Sequence, residues 1–306
     1  MDETHCQLVG SYAILKSAHY RSPTPVSDFS GLNPEWYSNI VPNAVLHVCP
    51  QALPEFVRNV LPTLSVAFKL LTNNSDKTLP DDYPEESETL LKSPLLLKWY
   101  AQNCVETHEK MVRIPIGLDY HSMRPAEYQK QFIWDPKPRP QYNQWGLKKY
   151  ATEQEADLLK FRNNSKPVWD RIRKAYSNHQ FTLHTRYSQD RKDAMARIPP
   201  DLVFYEPRKA TRDVCWGNMA QYAFVVSPHG NGLDCHRTWE ALCLGCIPIV
   251  KTSGLDPLFA DLPVWIVQDW SDVSIESMNN MLDVFRKTNY NYTKLTLAYW
   301  KCQFQS

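Results

Sequence analysis

The sequence lacks long apolar runs, carries little net charge and contains few glycines. No stretch reaches the 18 or more consecutive apolar residues of a membrane-spanning helix, and the first ten residues, MDETHCQLVG, have acids where a secretory signal has basic residues. The formal net charge is +1, so the overall balance indicates neither a nucleic-acid partner nor attraction to an anionic membrane. We therefore expect a cytoplasmic, soluble protein with no transmembrane segment.

The eight cysteines are spread over 306 residues rather than densely spaced. This is unlike the framework of a small disulfide-rich domain, so we expect reduced thiols. A CxxC motif, Cys243 to Cys246, lacks the second matched pair that a structural zinc site usually needs. We therefore predict buried small residues at this motif, and no metal site.

Apolar runs alternate with helical patterns along the chain, which predicts an α/β fold with mostly parallel sheets. Strands are expected at AVLHV, FKLLT, RIPIGL, FTLHT, LVFY, YAFVVS, IPIVK and PVWIVQ, and helices at PEFVRNVLPTL, EQEADLLKFRNN, KPVWDRIRKAY, HRTWEALCL and SIESMNNMLDVFRK. The acidic stretch 76–88 is predicted to be a surface loop, and the proline-rich stretch 124–146 an irregular excursion. Two domains are expected, at 1–160 and 161–290, with 291–306 packing back on the body.

Glycine is concentrated in one segment of the chain. Four of the nine glycines, Gly230, Gly232, Gly245 and Gly254, fall within 25 residues. The predicted strand YAFVVS runs there through PHGNGLD into the helix HRTWEALCL and then into the strand IPIVK. Glycines at such a turn let the backbone bend or approach a ligand closely, and the N-terminus of the following helix favours a phosphate. The segment 227–250 is therefore predicted to bind a phosphate-containing ligand.

Polar side chains on the predicted helix suit such a ligand. Arg237 and Glu240 are three residues apart and share one face, opposite the apolar Trp239 and Leu242. An arginine binds a diphosphate with two hydrogen bonds, and a carboxylate accepts hydrogen bonds from both hydroxyls of a ribose. Asp234, just before the helix, is predicted to cap it.

The run SPHGNGLDCHRTWEALCLGCIPIVKTSGLDPLF resembles the nucleotide-sugar-binding motif of exostosin-like glycosyltransferases, a family with small stand-alone members in large DNA viruses of algae. The stretches LLTNNSDKTLP, LKWYAQNC and IPIGLDYHS extend the resemblance over most of residues 43–270. The resemblance implies a GT-B fold, in which two Rossmann-like domains face each other across a cleft. The donor would lie on the C-terminal domain and the acceptor mainly on the N-terminal one. It also implies transfer with inversion and no essential metal or other cofactor.

The resemblance gives roles to individual residues of the segment. Arg237 would bind the diphosphate and Glu240 the ribose, while Gly230, Asn231 and Gly232 would shape the phosphate loop. The implied donor is a UDP-sugar, and the acceptor is a hydroxyl of a glycan or glycoprotein. Because no extra Arg or Lys marks a site for a uronate carboxylate, UDP-xylose is the first donor to consider.

Three further donor-binding candidates lie at the ends of predicted strands. Ser227 ends YAFVVS, Lys251 ends IPIVK, and Arg186 follows FTLHT. The two basic residues would add positive charge at a diphosphate. Arg186 is also compatible with an exposed basic face, since other basic residues follow it in the sequence.

An inverting transfer needs a general base, which we expect on the acceptor side of the cleft at the carboxyl end of a strand. Asp76 follows FKLLT, and Asp119 and His121 follow RIPIGL. These three residues are the catalytic candidates, although Asp76 is equally compatible with a turn residue. His47 lies within a predicted strand and is expected in the core.

Two other classes of function remain open. A dinucleotide-dependent oxidoreductase would use Gly230 and Gly232, but Cys235 replaces the third glycine of its motif, and Lys251 ends the next strand where an NAD site has an acid. A non-catalytic nucleotide-sugar or carbohydrate-binding module would use the same cleft. In either case the aromatic side chains of the 124–146 excursion are compatible with stacking on sugar rings and also with packing of that loop; they are Trp134, Tyr142 and Trp145.

Overall fold

Two parallel sheets organise the chain in a computed structural model that describes residues 2–23, 28–123, 142–143, 145–178, 186–207 and 210–306. The first sheet contains, in this order, β1 (Ala44–His47), β2 (Phe68–Thr72), β3 (Leu96–Gln102) and β4 (Met111–Ile114), with neighbouring strands parallel. An antiparallel ribbon of β5 (Tyr142–Asn143) and β6 (Gly146–Leu147) follows in the sequence. The second sheet contains β7 (Ile172–Ser177), β8 (Val203–Tyr205), β9 (Tyr222–Val226), β10 (Ile247–Lys251) and β11 (Trp265–Val267). Its strands are parallel in the order β11-β10-β9-β7-β8.

Helices connect the strands in both halves of the chain. Over the described residues the α-helices are α1 (Ser11–Leu15), α2 (Leu53–Asn59), α3 (Pro84–Lys92), α4 (Ala151–Asn163), α5 (Ser188–Arg197), α6 (Arg212–Met219), α7 (His236–Cys243), α8 (Ile275–Lys287) and α9 (Leu297–Gln305). Parallel strands need such crossovers, because the chain must return to the same end of the sheet before each new strand. Within these residues, no helix is both long enough and apolar enough to cross a membrane.

Burial explains why the sequences of β1 and β2 are almost continuously apolar. Every residue of β1 and β2 is buried, as expected for parallel strands that are covered on both faces. The buried Lys69 of β2 is accommodated because its Nζ donates a hydrogen bond to the carbonyl of Phe304, 3.1 Å away. The Tyr100 ring meets the Phe304 ring edge to face at 5.0 Å, so α9 packs against the first sheet.

The α/β class with mostly parallel sheets that the sequence predicts is confirmed. The strands of the first sheet end at Ile114 and those of the second begin at Ile172. The boundary at residue 160 falls between these limits and stays a prediction. His47 lies in the core as expected, with its Nε2 3.0 Å from Oδ1 of Asn73.

Two local predictions are wrong. The stretch 76–88 is not a loop throughout, because Leu79 is fully buried and Pro84 begins α3. The stretch 166–176 is not a helix but a short 3-10 turn followed by β7, which pairs with both β8 and β9. A central position in a sheet outweighs the weak helical spacing of this stretch. The FTLHT segment and Trp134 lie outside the described residues.

Candidate functional site

A cavity of about 540 Å³ lies where the carboxyl ends of strands from both sheets converge. Its lining residues follow β2 and β4 of the first sheet and β7 and β9 of the second. Ligands of open α/β sheets bind outside the carboxyl ends of strands, where the strand order changes direction. In the second sheet that change lies between β7 and β9, since β8 and β10 lie on opposite sides of this pair. Sheet topology and cavity position therefore agree on the location of a binding site.

The loop after β9 brings Gly230, Asn231 and Gly232 to the cavity. Neither glycine has a positive φ, so close packing rather than a left-handed turn explains them. A Cβ on Gly232 would lie 2.7 Å from Nδ2 of Asn103 and 3.2 Å from Cα of Asp76. The glycine therefore lets the two halves of the chain approach each other at the cavity. A role for this loop in phosphate binding stays a prediction.

Asp234 does not cap α7, and that prediction is wrong. The N-cap residue is Cys235, which makes no side-chain capping bond. The buried carboxylate of Asp234 instead accepts a hydrogen bond from the backbone N–H of Ile116 at 2.7 Å and another from the indole of Trp239 at 2.9 Å. Burial raises the pKa of Asp234 to about 7. This side chain joins the loop after β4 to the helix that carries the predicted donor-binding residues.

Helix α7 has the two faces that its sequence predicts. Trp239, Leu242 and Cys243 are buried, whereas Arg237 and Glu240 line the cavity. The helix ends at Cys243, and Gly245, just past its end, has a φ of +73°, the left-handed conformation that glycine adopts most easily at a helix C-terminus.

Arg237 has an unused hydrogen-bond donor at the cavity. Its Nε donates to Oδ1 of Asn178 at 2.8 Å, which fixes the guanidinium against the end of β7. Its Nη1 is buried and has no hydrogen-bond partner among the described residues. Leaving a buried charged donor without a partner costs about 1–3 kcal/mol or more. An anionic ligand in the cavity would remove this cost, because the guanidinium donates readily to phosphate oxygens.

Glu240 lines the cavity one turn further along the same helix. Burial raises the pKa of Glu240 from its ordinary value. A carboxylate that is short of water gains most from hydroxyl groups that donate to it. Binding of a ribose by Glu240 stays a prediction.

The two catalytic candidates on the loop after β4 form a pair. Nδ1 of His121 lies 3.0 Å from Oδ1 of Asp119, and the other carboxylate oxygen accepts from Nη2 of Arg212 at 3.1 Å. The backbone N–H of Ser122 also donates to Asp119, at 2.9 Å. The His121 ring stacks on Tyr12, with ring centroids 4.3 Å apart. Both members of the pair line the cavity, and their neighbours hold them in one orientation.

The environment of Asp119 favours an orienting role over proton abstraction. Burial would raise its pKa, but the nearby His121 and Arg212 outweigh burial and hold the pKa of Asp119 well below its usual range. A carboxylate with such a low pKa is a weak base near neutral pH. It does fix the proton of His121 on Nδ1, which leaves Nε2 as the basic nitrogen of that ring.

Asp76 also reaches the cavity, from the loop after β2. Burial and the Asp28 carboxylate raise the pKa of Asp76, which brings it closer to the range of a working base. The structure thus places all three catalytic candidates at one cavity, together with Arg237 and Glu240.

Three predicted donor-binding residues do not line the cavity. Ser227 is buried, and its Oγ lies 2.8 Å from Oγ1 of Thr238. Arg186 is half exposed and lies 3.3 Å from Asp82. Lys251 extends toward the buried Asp190, which it approaches to 4.0 Å. The structure therefore does not bring these three residues to the cavity, and donor binding by them stays a prediction.

The cavity also contains residues that the sequence did not predict to be part of a site. Arg191 of α5, Arg212 of α6 and His236 of α7 line the cavity, as does Asn178 after β7. Nothing in the sequence distinguishes Arg191 from the other basic residues that follow Arg186, but it is buried, and its Nε donates to the carbonyl of His229 at 3.0 Å. Only His236 had a local signal, since it is adjacent to Arg237 on the same helix. Trp145, predicted as a stacking residue, does line the cavity.

The CxxC motif is part of the core, as predicted. Cys243 and Cys246 are both buried, and burial raises their thiol pKa values to about 12 and about 11. Across the described parts of the chain, no group of three or more His, Cys, Asp or Glu side chains is placed to hold a metal ion.

No protein-family model and no curated protein matches the chain. Among solved structures, it is similar to HepE of Anabaena in complex with UDP, at 10% identity and a TM-score of 0.40, over 86% of this chain and 73% of that one. It is also similar to the UDP-forming α,α-trehalose-phosphate synthase of Burkholderia vietnamiensis, at 10% identity and a TM-score of 0.42, over 89% and 75%. A third similar structure is the N-terminal domain of the Candida albicans trehalose-6-phosphate phosphatase, at 10% identity and a TM-score of 0.40, over 88% and 69%. Similarity at this level says nothing about activity, so we infer the function from the residues of the cavity.

Proposed function

We propose that the protein is an inverting glycosyltransferase that uses a UDP-sugar as donor and a hydroxyl of a glycan or glycoprotein as acceptor. One observation carries the proposal. The buried, unpartnered Nη1 of Arg237 and the Asp119–His121 pair line the same cavity. The first suits an anionic leaving group and the second suits removal of a proton. The cavity's volume of about 540 Å³ falls within the range of cavities that hold small-molecule ligands.

The donor side of this cavity is the second sheet and α7. Arg237 would donate to the diphosphate from Nη1 and Nη2, and Arg191 would add a second positive charge on the same side. Glu240 would accept hydrogen bonds from the ribose. Because two arginines would neutralise the leaving diphosphate, we expect turnover without a divalent metal.

The acceptor side is the first sheet. We assign His121 as the general base, with Asp119 as the residue that orients it and stabilises the imidazolium formed when the acceptor hydroxyl loses its proton. Arg212 would keep Asp119 ionised through its 3.1 Å contact. Asp76 is the competing base, since it lines the same cavity. UDP-xylose, a neutral pentose donor, remains our first choice for assay.

Ligand-induced thermal stabilisation tests donor binding. A ligand present at 100 times its dissociation constant adds about 2.7 kcal/mol to the free energy of unfolding. We expect this stabilisation with at least one UDP-sugar, and we expect Arg237→Gln to weaken binding by roughly 10- to 100-fold through loss of charge-assisted hydrogen bonds. Arg197→Gln is the matched control, because Arg197 is half exposed and paired with Asp269 away from the cavity.

The results separate the proposal from its alternatives. Release of UDP that requires the acceptor and yields the glycosylated acceptor identifies a transferase. Tight binding of UDP-sugars without release of UDP in any combination would instead identify a non-catalytic module. If no UDP- or GDP-sugar stabilised the protein, or if Arg197→Gln weakened binding as much as Arg237→Gln, the assignment of the donor site would be wrong.

A further inference from the structure

His236 is the first residue of α7 and lines the cavity directly beside Arg237. Its Nδ1 lies 2.7 Å from the backbone carbonyl oxygen of Gly117, on the loop after β4. A carbonyl oxygen only accepts hydrogen bonds, so the ring proton must be on Nδ1. The contact fixes both the tautomer and the orientation of the imidazole.

The second nitrogen of this ring is an unused acceptor. Nε2 of His236 has no hydrogen-bond partner among the described residues, and it belongs to a side chain that lines the cavity. Burial lowers the pKa of His236, and a position at a helix N-terminus also disfavours a positive charge. The ring is therefore neutral near pH 7, and Nε2 presents a lone pair rather than a proton.

The position of His236 relates it to the reacting sugar. It precedes Arg237, which we assign to the diphosphate, and its ring centroid lies 5.9 Å from that of His121, which we assign as the base. In an inverting displacement the sugar lies between the leaving phosphate on one side and the attacking hydroxyl with its base on the other. Because His236 adjoins Arg237 on α7 and its ring lies near that of His121, we expect it to lie beside the sugar ring.

We propose that Nε2 of His236 accepts a hydrogen bond from a hydroxyl of the transferred sugar, which makes His236 a determinant of donor specificity. The inference rests on the proposed glycosyltransferase function and deepens it. Because the tautomer is fixed by Gly117, the site would select donors that present a hydroxyl at this point and would discriminate against the corresponding deoxy-sugar.

Two substitutions separate this contact from the structural bond to Gly117. In His236→Asn the amide N–H replaces Nδ1 and keeps the bond to Gly117, but no atom replaces Nε2. In His236→Gln the longer side chain places an amide oxygen near the former Nε2 and loses the Nδ1 donor. We expect His236→Asn to lower kcat/KM by about 10-fold or more with the UDP-sugar while the affinity for UDP alone changes less than about twofold. We expect His236→Gln to recover part of the loss.

Deoxy analogues of the donor complete the test. One analogue lacks the hydroxyl that binds Nε2. With this analogue, we expect kcat/KM of the wild-type protein to fall by about the same factor that the His236→Asn substitution causes with the full donor. The variant should lose nothing further with the analogue. Independent losses for every analogue, or unchanged kcat/KM in His236→Asn, would overturn the inference while the transferase function stands. Equal losses of UDP and UDP-sugar affinity in His236→Asn would also overturn it, since they indicate a structural role. If the wild-type protein bound no nucleotide sugar, both proposals would fail together.

Discussion

Asp234 should make the stability of this protein depend on pH in an unusual direction. Its carboxyl group is buried and accepts hydrogen bonds from Ile116 and Trp239, yet burial raises its pKa from 3.8 to about 7. A group whose pKa is higher in the folded than in the unfolded protein contributes stability that is complete below the unfolded pKa and is lost as pH rises through the folded one. The folded protein should therefore lose stability from this group between about pH 4 and pH 7.

The magnitude follows from the two pKa values. One pKa unit corresponds to 1.36 kcal/mol, so the difference between 3.8 and about 7 amounts to about 4 kcal/mol over the whole range. Most of it, about 3 kcal/mol, falls between pH 5 and pH 8, because the unfolded carboxyl group is already ionised at pH 5. A change of this size is a large part of the free energy of unfolding of an ordinary domain.

Urea unfolding at pH 5 and pH 8 measures the effect, with Asp234→Asn as the variant that cannot ionise. The variant carries a constant penalty, because an amide accepts fewer hydrogen bonds from Ile116 and Trp239 than a carboxylate does. The informative quantity is the difference between the two proteins in free energy of unfolding, which should change with pH. The free energy of unfolding of Asp234→Asn, relative to that of the wild-type protein, should rise by about 3 kcal/mol between pH 5 and pH 8. A difference that is the same at both pH values would show that Asp234 ionises normally in the folded protein and would refute the argument.

Two further substitutions test the site. Asp119→Asn should reduce kcat by roughly 10²- to 10⁴-fold and leave donor affinity within about twofold, because an amide N–H facing Nδ1 of His121 favours the wrong tautomer. Steady-state kinetics that follow UDP release measure the effect. An unchanged kcat would point to Asp76 as the base. Gly232→Ala should destabilise the protein by about 1–3 kcal/mol in urea unfolding, since its Cβ would lie 2.7 Å from Asn103 and 3.2 Å from the Asp76 backbone. Unchanged stability would mean that the two halves of the chain separate easily at this contact.

Much of the fold could be predicted because the hydrophobic pattern is local. The strands β9 and β10 and the helix α7 occur where YAFVVS, IPIVK and HRTWEALCL indicate, and the polar face of α7 is the face that lines the cavity. The failures have physical causes. At 166–176 the local spacing suggested a helix, but pairing on both sides made the segment a central strand. At Asp234 the usual preference of aspartate for an N-cap was outweighed by hydrogen bonds to Ile116 and Trp239.

The candidate site likewise contains residues that could be predicted from the sequence and residues that could not. Arg237 and Glu240 were predictable together because a single helix turn sets their spacing. Arg191 and Arg212 were not, because nothing near them in the sequence distinguishes a buried arginine at a cavity from an exposed one. Lys251 is the converse case, since it ends a strand as predicted but extends toward Asp190 and does not line the cavity.

By itself, the sequence determined the α/β class, the strand, loop and helix of the segment 227–250, and the face on which Arg237 lies, since these depend on periodicity within a few residues. Only the tertiary structure decided which distant groups meet. Asp119 and Arg212 are 93 residues apart in the chain yet 3.1 Å apart in space, and Asp234 bonds to Ile116 across 118 residues. Such contacts form because two separately built sheets bring the carboxyl ends of their strands together. Burial at that junction then sets the charges and proton positions on which the proposed chemistry depends.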